Sequence, residues 1–177
     1  MYNEFKKEAI PLLIRKVEST EYETVRQQRL TSYEQYKNRI PLKHWEVLQG
    51  TLSKQSDKHP GVNLFVAEIG GQIAGSVVLF PSKAKAYEWD SETLEHPEIR
   101  MLAVDANYRG LGVGKALVQH CIKVSKELGE NQIGLHTGSF MEGAKKLYEN
   151  LGFKRMPLSD FEPLDDGIVV QAYQLTI

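Results

Sequence analysis

The 177-residue chain has the length of a single domain, and we expect residues 1–177 to form one. It carries 22 Lys and Arg against 23 Asp and Glu, for a formal net charge of −1. This balance argues against nucleic acid or an anionic membrane as a partner, because binding either one requires a surplus of basic residues. The single cysteine, Cys121, excludes an intrachain disulfide and a cysteine-based zinc site.

The first residues lack the apolar core of a secretory signal. No apolar stretch approaches the roughly 20 residues that span a bilayer. We therefore expect a cytoplasmic protein.

Strand and helix patterns alternate along the first half of the chain. Residues 12–17 predict a strand, and Thr20 with Glu23 predicts the capped start of a helix. A second helix is predicted after Pro41. Residues 62–69 and 72–80 predict two strands, which Gly70-Gly71 joins as a tight hairpin. The polar residues 82–97 predict a long surface loop.

The second half continues the alternation. Strands are predicted at residues 99–104, 132–137 and 167–177, and helices at residues 112–128 and 140–151. Gly129 and Gly152 stand where glycines commonly end a helix. Helices between strands require crossover connections, so we predict a mixed α/β domain with a partly parallel sheet.

The clearest ligand-binding signal is the turn between the strand at 99–104 and the helix that follows. Its glycines stand at every second position, Gly110, Gly112 and Gly114. Missing side chains let backbone N–H groups approach a ligand, and a helix N-terminus adds about half a positive charge. With Arg109 and Lys115 beside it, the turn predicts a phosphate or diphosphate ligand.

Three phosphate-binding patterns compete for this turn. The P-loop pattern fails twice, because Arg109 replaces its first glycine and Ala116 replaces its hydroxyl residue. The dinucleotide pattern needs a third glycine at Leu117 and an acid at the end of the next strand, which ends in His136-Thr137. The pattern R-x-x-G-x-G is matched in full, by Arg109, Gly112 and Gly114.

Residues 98–153 resemble the GCN5-related N-acetyltransferase (GNAT) family. The resemblance is carried by R-G-L-G-V-G-K-A-L from Arg109 and by A-x-x-L-Y-x-x-x-G-F from Ala144. It implies one GNAT-like domain, in which helices flank a mostly antiparallel sheet with one parallel, splayed pair of strands. At Met141 this sequence departs from the family pattern, which often has an asparagine there that bonds the cofactor arm.

The resemblance also implies acetyl-coenzyme A (acetyl-CoA) as co-substrate, without a metal. The turn would hold its pyrophosphate, and the open strand edge would pair with the amides of its pantetheine arm. The residues implied in binding are Leu102, Ala103, Val104, Arg109, Gly110, Leu111, Gly112, Val113, Gly114, Lys115 and Ala144.

Acetyl transfer to an amine needs a base for the amine, a donor for the oxyanion and an acid for the leaving thiolate. The resemblance implies that Tyr148 is the acid, because it occupies the family's L-Y position, where the phenol lies near the thioester sulfur. A phenol pKa near 10 is also close to a thiol's, about 8.5. Packing at a helix–sheet seam is the alternative for Tyr148. A backbone N–H of residues 102–103 is the expected oxyanion donor. The resemblance implies Glu98 as the base, because some family members carry a catalytic glutamate at this place; ordered water, as in many members, and a merely exposed carboxylate are the alternatives.

The remaining polar residues give weaker indications of function. The five histidines lack metal-ligand spacing, and His136 is expected to be structural, with a polar role left open. Acidic residues near the expected acceptor side favour a cationic acceptor, or only mark hydrated loops; they are Glu88, Asp90, Glu92, Glu95, Asp165 and Asp166.

The sequence thus predicts an acetyl-CoA-dependent N-acetyltransferase that acts directly on a primary amine of a small molecule, peptide or protein. The alternatives are a non-catalytic coenzyme A-binding regulatory module of the same fold and a nucleotide-binding protein of another fold. A homodimer is left open.

Overall fold

The computed structural model describes residues 10–85 and 93–177. Its strands are β1 (Leu12–Lys16), β2 (Asn63–Ile69), β3 (Gln72–Phe80), β4 (Glu98–Val104), β5 (Gln132–Gly138), β6 (Lys154–Arg155) and β7 (Val170–Thr176). Its α-helices are α1 (Tyr22–Tyr33), α2 (Leu42–Ser53), α3 (Val113–Glu127) and α4 (Glu142–Asn150). No helix in these two ranges has the length and hydropathy to cross a membrane.

The strands form one sheet in the order β1-β2-β3-β4-β5-β7-β6. Within the described residues every neighbouring pair is antiparallel except β4 and β5. These two are parallel and pair only at Glu98↔Gly134 and Ile99↔Leu135. Beyond that point they separate, which confirms the predicted mixed sheet with a parallel, splayed pair.

A β-bulge in β4 accompanies the separation. Ala103 pairs with Ser76 of β3 and Arg100 with Val78, so Met101 and Leu102 together oppose the single residue between those partners. Met101 adopts a left-handed φ of 55°, which a residue with a side chain rarely does. Bulges bend a strand and interrupt its pairing. The bulge therefore re-aims the second half of β4 where the gap to β5 opens.

Buried side chains cover both faces of the sheet. On β2, Phe65 and Ala67 belong to the cluster beneath α3 and α4, whereas Leu64 and Val66 belong to the cluster beneath α1. This alternation is the period of two expected for a strand between two layers. Cys121 lies in the α3 cluster, fully buried, and burial raises the pKa of its thiol to about 12. The thiol is therefore a packing group and not a nucleophile.

A buried ion pair joins α1 to Asp57, in the short turn after α2. We call α1 and α2 together the helical cap. Arg29 is fully buried; its Nη2 lies 3.0 Å from Oδ2 of Asp57, and its Nη1 donates to the Leu52 carbonyl at 3.2 Å. Nη2 of Arg26, also buried, lies 3.8 Å from the other Asp57 oxygen. The negative charge of Asp57 thus compensates the buried charges of Arg26 and Arg29, which would be costly to bury alone.

Some local predictions were wrong. The helix predicted to be capped by Thr20 begins at Tyr22 without a side-chain cap. Its N-cap residue, Glu21, instead binds both terminal guanidinium nitrogens of Arg15 at 2.8 Å. The two-residue strand β6 was not predicted, because it is too short to produce a periodic pattern.

Gly75 on β3 lies beneath the start of α3. A Cβ atom there would lie 2.7 Å from the Ala103 carbonyl oxygen and 3.0 Å from Cγ1 of Val113. Because one of these atoms is backbone, we expect Gly75→Ala to lower the free energy of unfolding by about 1–3 kcal/mol, measured in urea. The control is Gly50→Ala, where a Cβ meets nothing within 4 Å and the helix gains a better helix former. Equal stability of the Gly75→Ala variant and the wild type would contradict this packing argument.

Candidate active site

A cavity of about 920 Å³ lies between the helical cap and the gap that opens between β4 and β5. Nearly all the predicted binding and catalytic residues line it: Glu98, Leu102, Ala103, Val104, Arg109, Gly110, Gly112, Val113, Gly114, Lys115, Ala144 and Tyr148. Leu111 is the exception, with 61% of its surface exposed. Only the backbone of Leu111 can therefore take part in binding as predicted, because its side chain extends away from the cavity.

The glycines of the turn have two different functions. Gly110 and Gly112 adopt φ angles of 77° and 80°, in the left-handed region that favours glycine. Gly114 is helical, and a Cβ there would lie 3.2 Å from Cδ2 of Leu147. The first two glycines therefore shape the turn, and the third allows α3 to pack closely against α4.

The turn presents unpaired backbone donors to the cavity. Gly112 caps α3, and its carbonyl accepts the first intrahelical bond, from the Ala116 N–H at 3.0 Å. The N–H groups of Val113, Gly114 and Lys115 come before that bond and have no carbonyl within the helix to pair with. Together with the helix dipole they form a site suited to an anion.

Arg109 connects this turn to the helical cap. Its Nη2 donates to the Ser32 carbonyl at the end of α1, over 3.3 Å. Its charge also lies close enough to Tyr36 to favour the phenolate, although burial has the larger effect and raises the pKa of that phenol. Arg109 is exposed and lines the cavity, so it can reach an anion held by the turn.

Sequence reasoning missed Gln28, which fixes α1 against the sheet. Its side-chain amide nitrogen donates to the Ser32 hydroxyl at 2.9 Å and to the Ala103 carbonyl at 3.4 Å. Its oxygen accepts from the Ser76 hydroxyl at 2.9 Å. The Ala103 carbonyl thus faces β3 and α1. Because successive residues of a strand direct their polar groups to opposite sides, Leu102 and Val104 are left to offer theirs to the gap.

Tyr148 extends from α4 into the same cavity. Only 5% of its surface is exposed, and its ring packs against those of Phe153 and Tyr173, with centroids 5.9 and 6.3 Å away. Burial raises its pKa well above the usual value, and Tyr33 and Tyr36 nearby raise it further. The phenol therefore keeps its proton at neutral pH, which makes it a hydrogen-bond donor and a weaker acid than its ordinary pKa implies.

Glu98 is buried, so the alternative of an exposed strand-end carboxylate was wrong. Its Oε1 lies 3.0 Å from Nε of Arg100 and 3.3 Å from Nδ1 of His136. Burial alone would raise the pKa of Glu98, but the hydrogen bond from His136 and the charge of Arg100 outweigh it and lower the pKa. A carboxylate held in this way is a weaker base than a free one.

A second histidine was not singled out by the sequence. His44 of α2 is buried at the cavity wall, with its Nδ1 2.7 Å from Oδ2 of Asp166. Its ring meets the edge of Phe140, with centroids 6.2 Å apart. Partial burial alone would raise the pKa of Asp166, but hydrogen bonds from the Ile168 N–H and from His44 lower it.

The acidic residues that were predicted near the acceptor side do not share one environment. Asp166 is bound to His44. The positions of Glu88, Asp90 and Glu92 lie outside the described residues. Among residues 10–85 and 93–177, no three His, Cys, Asp or Glu side chains lie together as metal ligands would.

The model of the acetyltransferase (GNAT) family matches residues 20–153, a stretch that holds the glycine turn, the splayed strands and Tyr148. The chain belongs to the GNAT family. The GNAT fold also extends over nearly the whole chain in solved structures. A GNAT acetyltransferase from Staphylococcus aureus Mu50 superposes with a TM-score of 0.68 at 21% identity, covering 94% of this chain and 99% of that one. A putative phosphinothricin N-acetyltransferase gives a TM-score of 0.65 at 19% identity, with 94% and 99% covered.

Two curated relatives are similar in sequence. N-acetyltransferase 8 of Rattus norvegicus is 32% identical over 112 residues, which cover 63% of this chain and 47% of the relative. N-acetylaspartate synthetase of Xenopus tropicalis is 33% identical over 125 residues, which cover 68% and 43%. The matched part spans less than half the length of these two relatives.

Proposed function

We propose that this GNAT protein transfers the acetyl group of acetyl-CoA directly to a primary amine of a small molecule or peptide. The observation that carries the proposal is one cavity that joins three features: the unpaired N–H groups at the start of α3, the open edge of β4 and the Tyr148 hydroxyl. An anion site, a strand edge and a proton donor are what binding and cleaving this thioester require.

The residues present fit coenzyme A. Its pyrophosphate would lie on the N–H groups of Val113, Gly114 and Lys115, with the side chains of Arg109 and Lys115 beside it. Its pantetheine amides would meet the backbone of Leu102 and Val104 at the open edge, and Ala144 lines the same cavity. The cavity, of about 920 Å³, also leaves room for an acceptor next to the thioester.

Acetyl transfer to an ammonium group removes two protons from its nitrogen. Bound acetyl-CoA supplies an activated carbonyl carbon. The acceptor ammonium loses one proton, its nitrogen attacks that carbon, the C–N bond forms and the C–S bond breaks. The nitrogen loses its second proton as the thiolate takes one up, so one proton in total goes to solvent. Tyr148 donates a hydrogen bond to the leaving sulfur, and a backbone N–H of residues 102–103 stabilises the oxyanion.

Glu98 remains a predicted catalytic residue. Glu98 lines the cavity, but its carboxylate is shared between Arg100 and His136. Nε2 of His136 in turn lies 3.2 Å from the Ser159 carbonyl. To accept a proton from the acceptor, Glu98 would have to weaken these bonds. This arrangement supports an anchoring function for Glu98 more than direct proton abstraction.

Gly112 offers a test of cofactor binding that does not depend on turnover. A Cβ at Gly112 meets nothing within 4 Å, so Gly112→Ala adds only the strain of a left-handed alanine, about 1–2 kcal/mol. We expect the turn to relax and the affinity for coenzyme A to fall about tenfold, measured by titration calorimetry. Gly143→Ala, also on the cavity wall and without a close neighbour, is the matched control. Unchanged affinity in the Gly112 variant would argue against the turn as the pyrophosphate site.

The function itself is tested by incubating the purified protein with acetyl-CoA and a panel of primary amines. Free thiol is followed optically, and acetylated amine is identified by mass. We expect equal amounts of both with at least one amine. Calorimetric binding of coenzyme A without thiol release on the whole panel would overturn the enzymatic proposal in favour of the regulatory module.

A further inference from the structure

The pair of His44 and Asp166 has the geometry of an oriented base. Nδ1 of His44 is occupied by Oδ2 of Asp166 at 2.7 Å. The other oxygen of Asp166, Oδ1, accepts the Ile168 N–H at 3.0 Å, which fixes the plane of the carboxylate. A carboxylate on Nδ1 holds the proton of a neutral imidazole there and leaves the lone pair on Nε2.

The free nitrogen is open to the cavity. His44 lines the cavity, although only 6% of the residue's surface is exposed. In the described part of the chain, Nε2 has no hydrogen-bond partner, and it is not among the buried polar atoms that are sealed without one. An imidazole nitrogen without a partner that opens into the cavity has the position that a general base requires.

An aromatic wall connects the pair to the anion site of the cavity. The Tyr36 and Phe140 rings lie 5.3 Å apart, and the Phe140 ring meets His44, so a continuous aromatic wall leads from Tyr36 to His44. Tyr36 lies close to the charge of Arg109, beside the turn before α3, so this wall runs from the anion site to His44. Asp166 follows residue 153, where the family match ends.

We propose that His44 is the general base of the acyl transfer and that Asp166 positions it, an inference that rests on the proposed function. Nε2 of His44 accepts one proton from the acceptor ammonium and becomes the imidazolium, which Asp166 stabilises. The nitrogen lone pair so released attacks the thioester carbonyl, the C–N bond forms and the C–S bond breaks. The second proton of the nitrogen goes to the departing thiolate. His44 then passes its proton to solvent and returns to the neutral form. Glu98, held by Arg100 and His136, keeps its proton-free state throughout.

The test compares acceptors that need a base with acceptors that do not. The probes are an alkyl primary amine that the wild type acetylates, which is protonated at neutral pH, and a hydrazide, whose nitrogen is already neutral. We expect His44→Gln to lower kcat about 100-fold with the alkyl amine and less than about threefold with the hydrazide. We expect Asp166→Asn to lower kcat about tenfold with the alkyl amine alone. The KM for acetyl-CoA stays the same in both variants.

Matched controls separate chemistry from structure. His120→Gln alters a histidine that does not line the cavity, and Glu127→Gln alters an exposed carboxyl group on α3 that also lies outside it; both should behave as the wild type. Thermal unfolding checks each variant. Asp166→Asn retains a hydrogen-bonding side chain of the same shape, and it decides the test if His44→Gln does not fold.

Each outcome has one meaning. An equal loss of activity with both acceptors makes the pair a structural clamp and overturns the proposal, as does full activity of both variants. If Glu98→Gln loses activity with the alkyl amine alone and His44→Gln keeps its activity, the base is Glu98. A wild type that acetylates no amine overturns the proposed function itself, and the base with it.

Discussion

A Tyr148→Phe variant is expected to turn over about 100-fold more slowly than the wild type while it binds coenzyme A equally well. The hydroxyl is the only group lost. We expect its hydrogen bond to form with the sulfur as the thiolate leaves. Proton donors to a reacting group contribute about 10²–10⁴-fold to rate. The phenyl ring retains the packing against Phe153 and Tyr173. Steady-state kinetics and calorimetry on the same preparation measure both quantities.

The matched control is Tyr173→Phe. Tyr173 packs against the Tyr148 ring, but its hydroxyl donates to Glu149 over 3.0 Å and it does not line the large cavity. We expect its turnover to stay near that of the wild type. If turnover in Tyr148→Phe is unchanged, Tyr148 is not the acid and serves only in packing at the helix–sheet seam.

An Asp57→Ala variant is expected to lose about 3–5 kcal/mol of unfolding free energy, because it leaves the buried Arg29 guanidinium uncompensated. Such a loss is a large share of the total stability of a domain, about 5–15 kcal/mol. Urea denaturation measures it. We also expect coenzyme A to bind more weakly, because α1 carries the Ser32 carbonyl that Arg109 contacts.

The control for Asp57 is Glu23→Ala, which removes the exposed partner of Arg26. Its expected effect on stability is small, because solvent screens the pair. Equal stability of the two variants would mean that the buried cluster does not hold the helical cap in place.

Local signals predicted much of the fold. Gly70 and Gly71 have φ angles of 58° and 76°, the primed turn that a two-glycine hairpin favours, and the strand after them runs from Gln72 to Phe80 as predicted. Gly129 and Gly152 end α3 and α4 with positive φ. These features depend on residues that are close in sequence, and sequence patterns report such residues directly.

The unpredicted features depend on contacts between distant residues. His44 and Asp166 are 122 positions apart, and the side chain of Gln28 meets Ser76 across 48. The bulge at Met101 requires a left-handed methionine, which no residue preference signals. The environment of Glu98 shows the same limit. Its position and its neighbour Arg100, two residues along the same strand, were visible in the sequence, but its contact with His136 follows from the pairing of β4 with β5. The fall in the pKa of Glu98 depends on both partners.

The fate of the acetyl group in a single turnover tests the central claim most directly. The protein, in excess over isotopically labelled acetyl-CoA, is mixed with an amine from the panel, quenched at intervals and measured by mass. Direct transfer predicts one acetylated amine for each thiol released and no labelled acetyl group on the protein at any time. Label that first accumulates on the protein, or thiol release without labelled amine, would contradict direct acetyl transfer at this site.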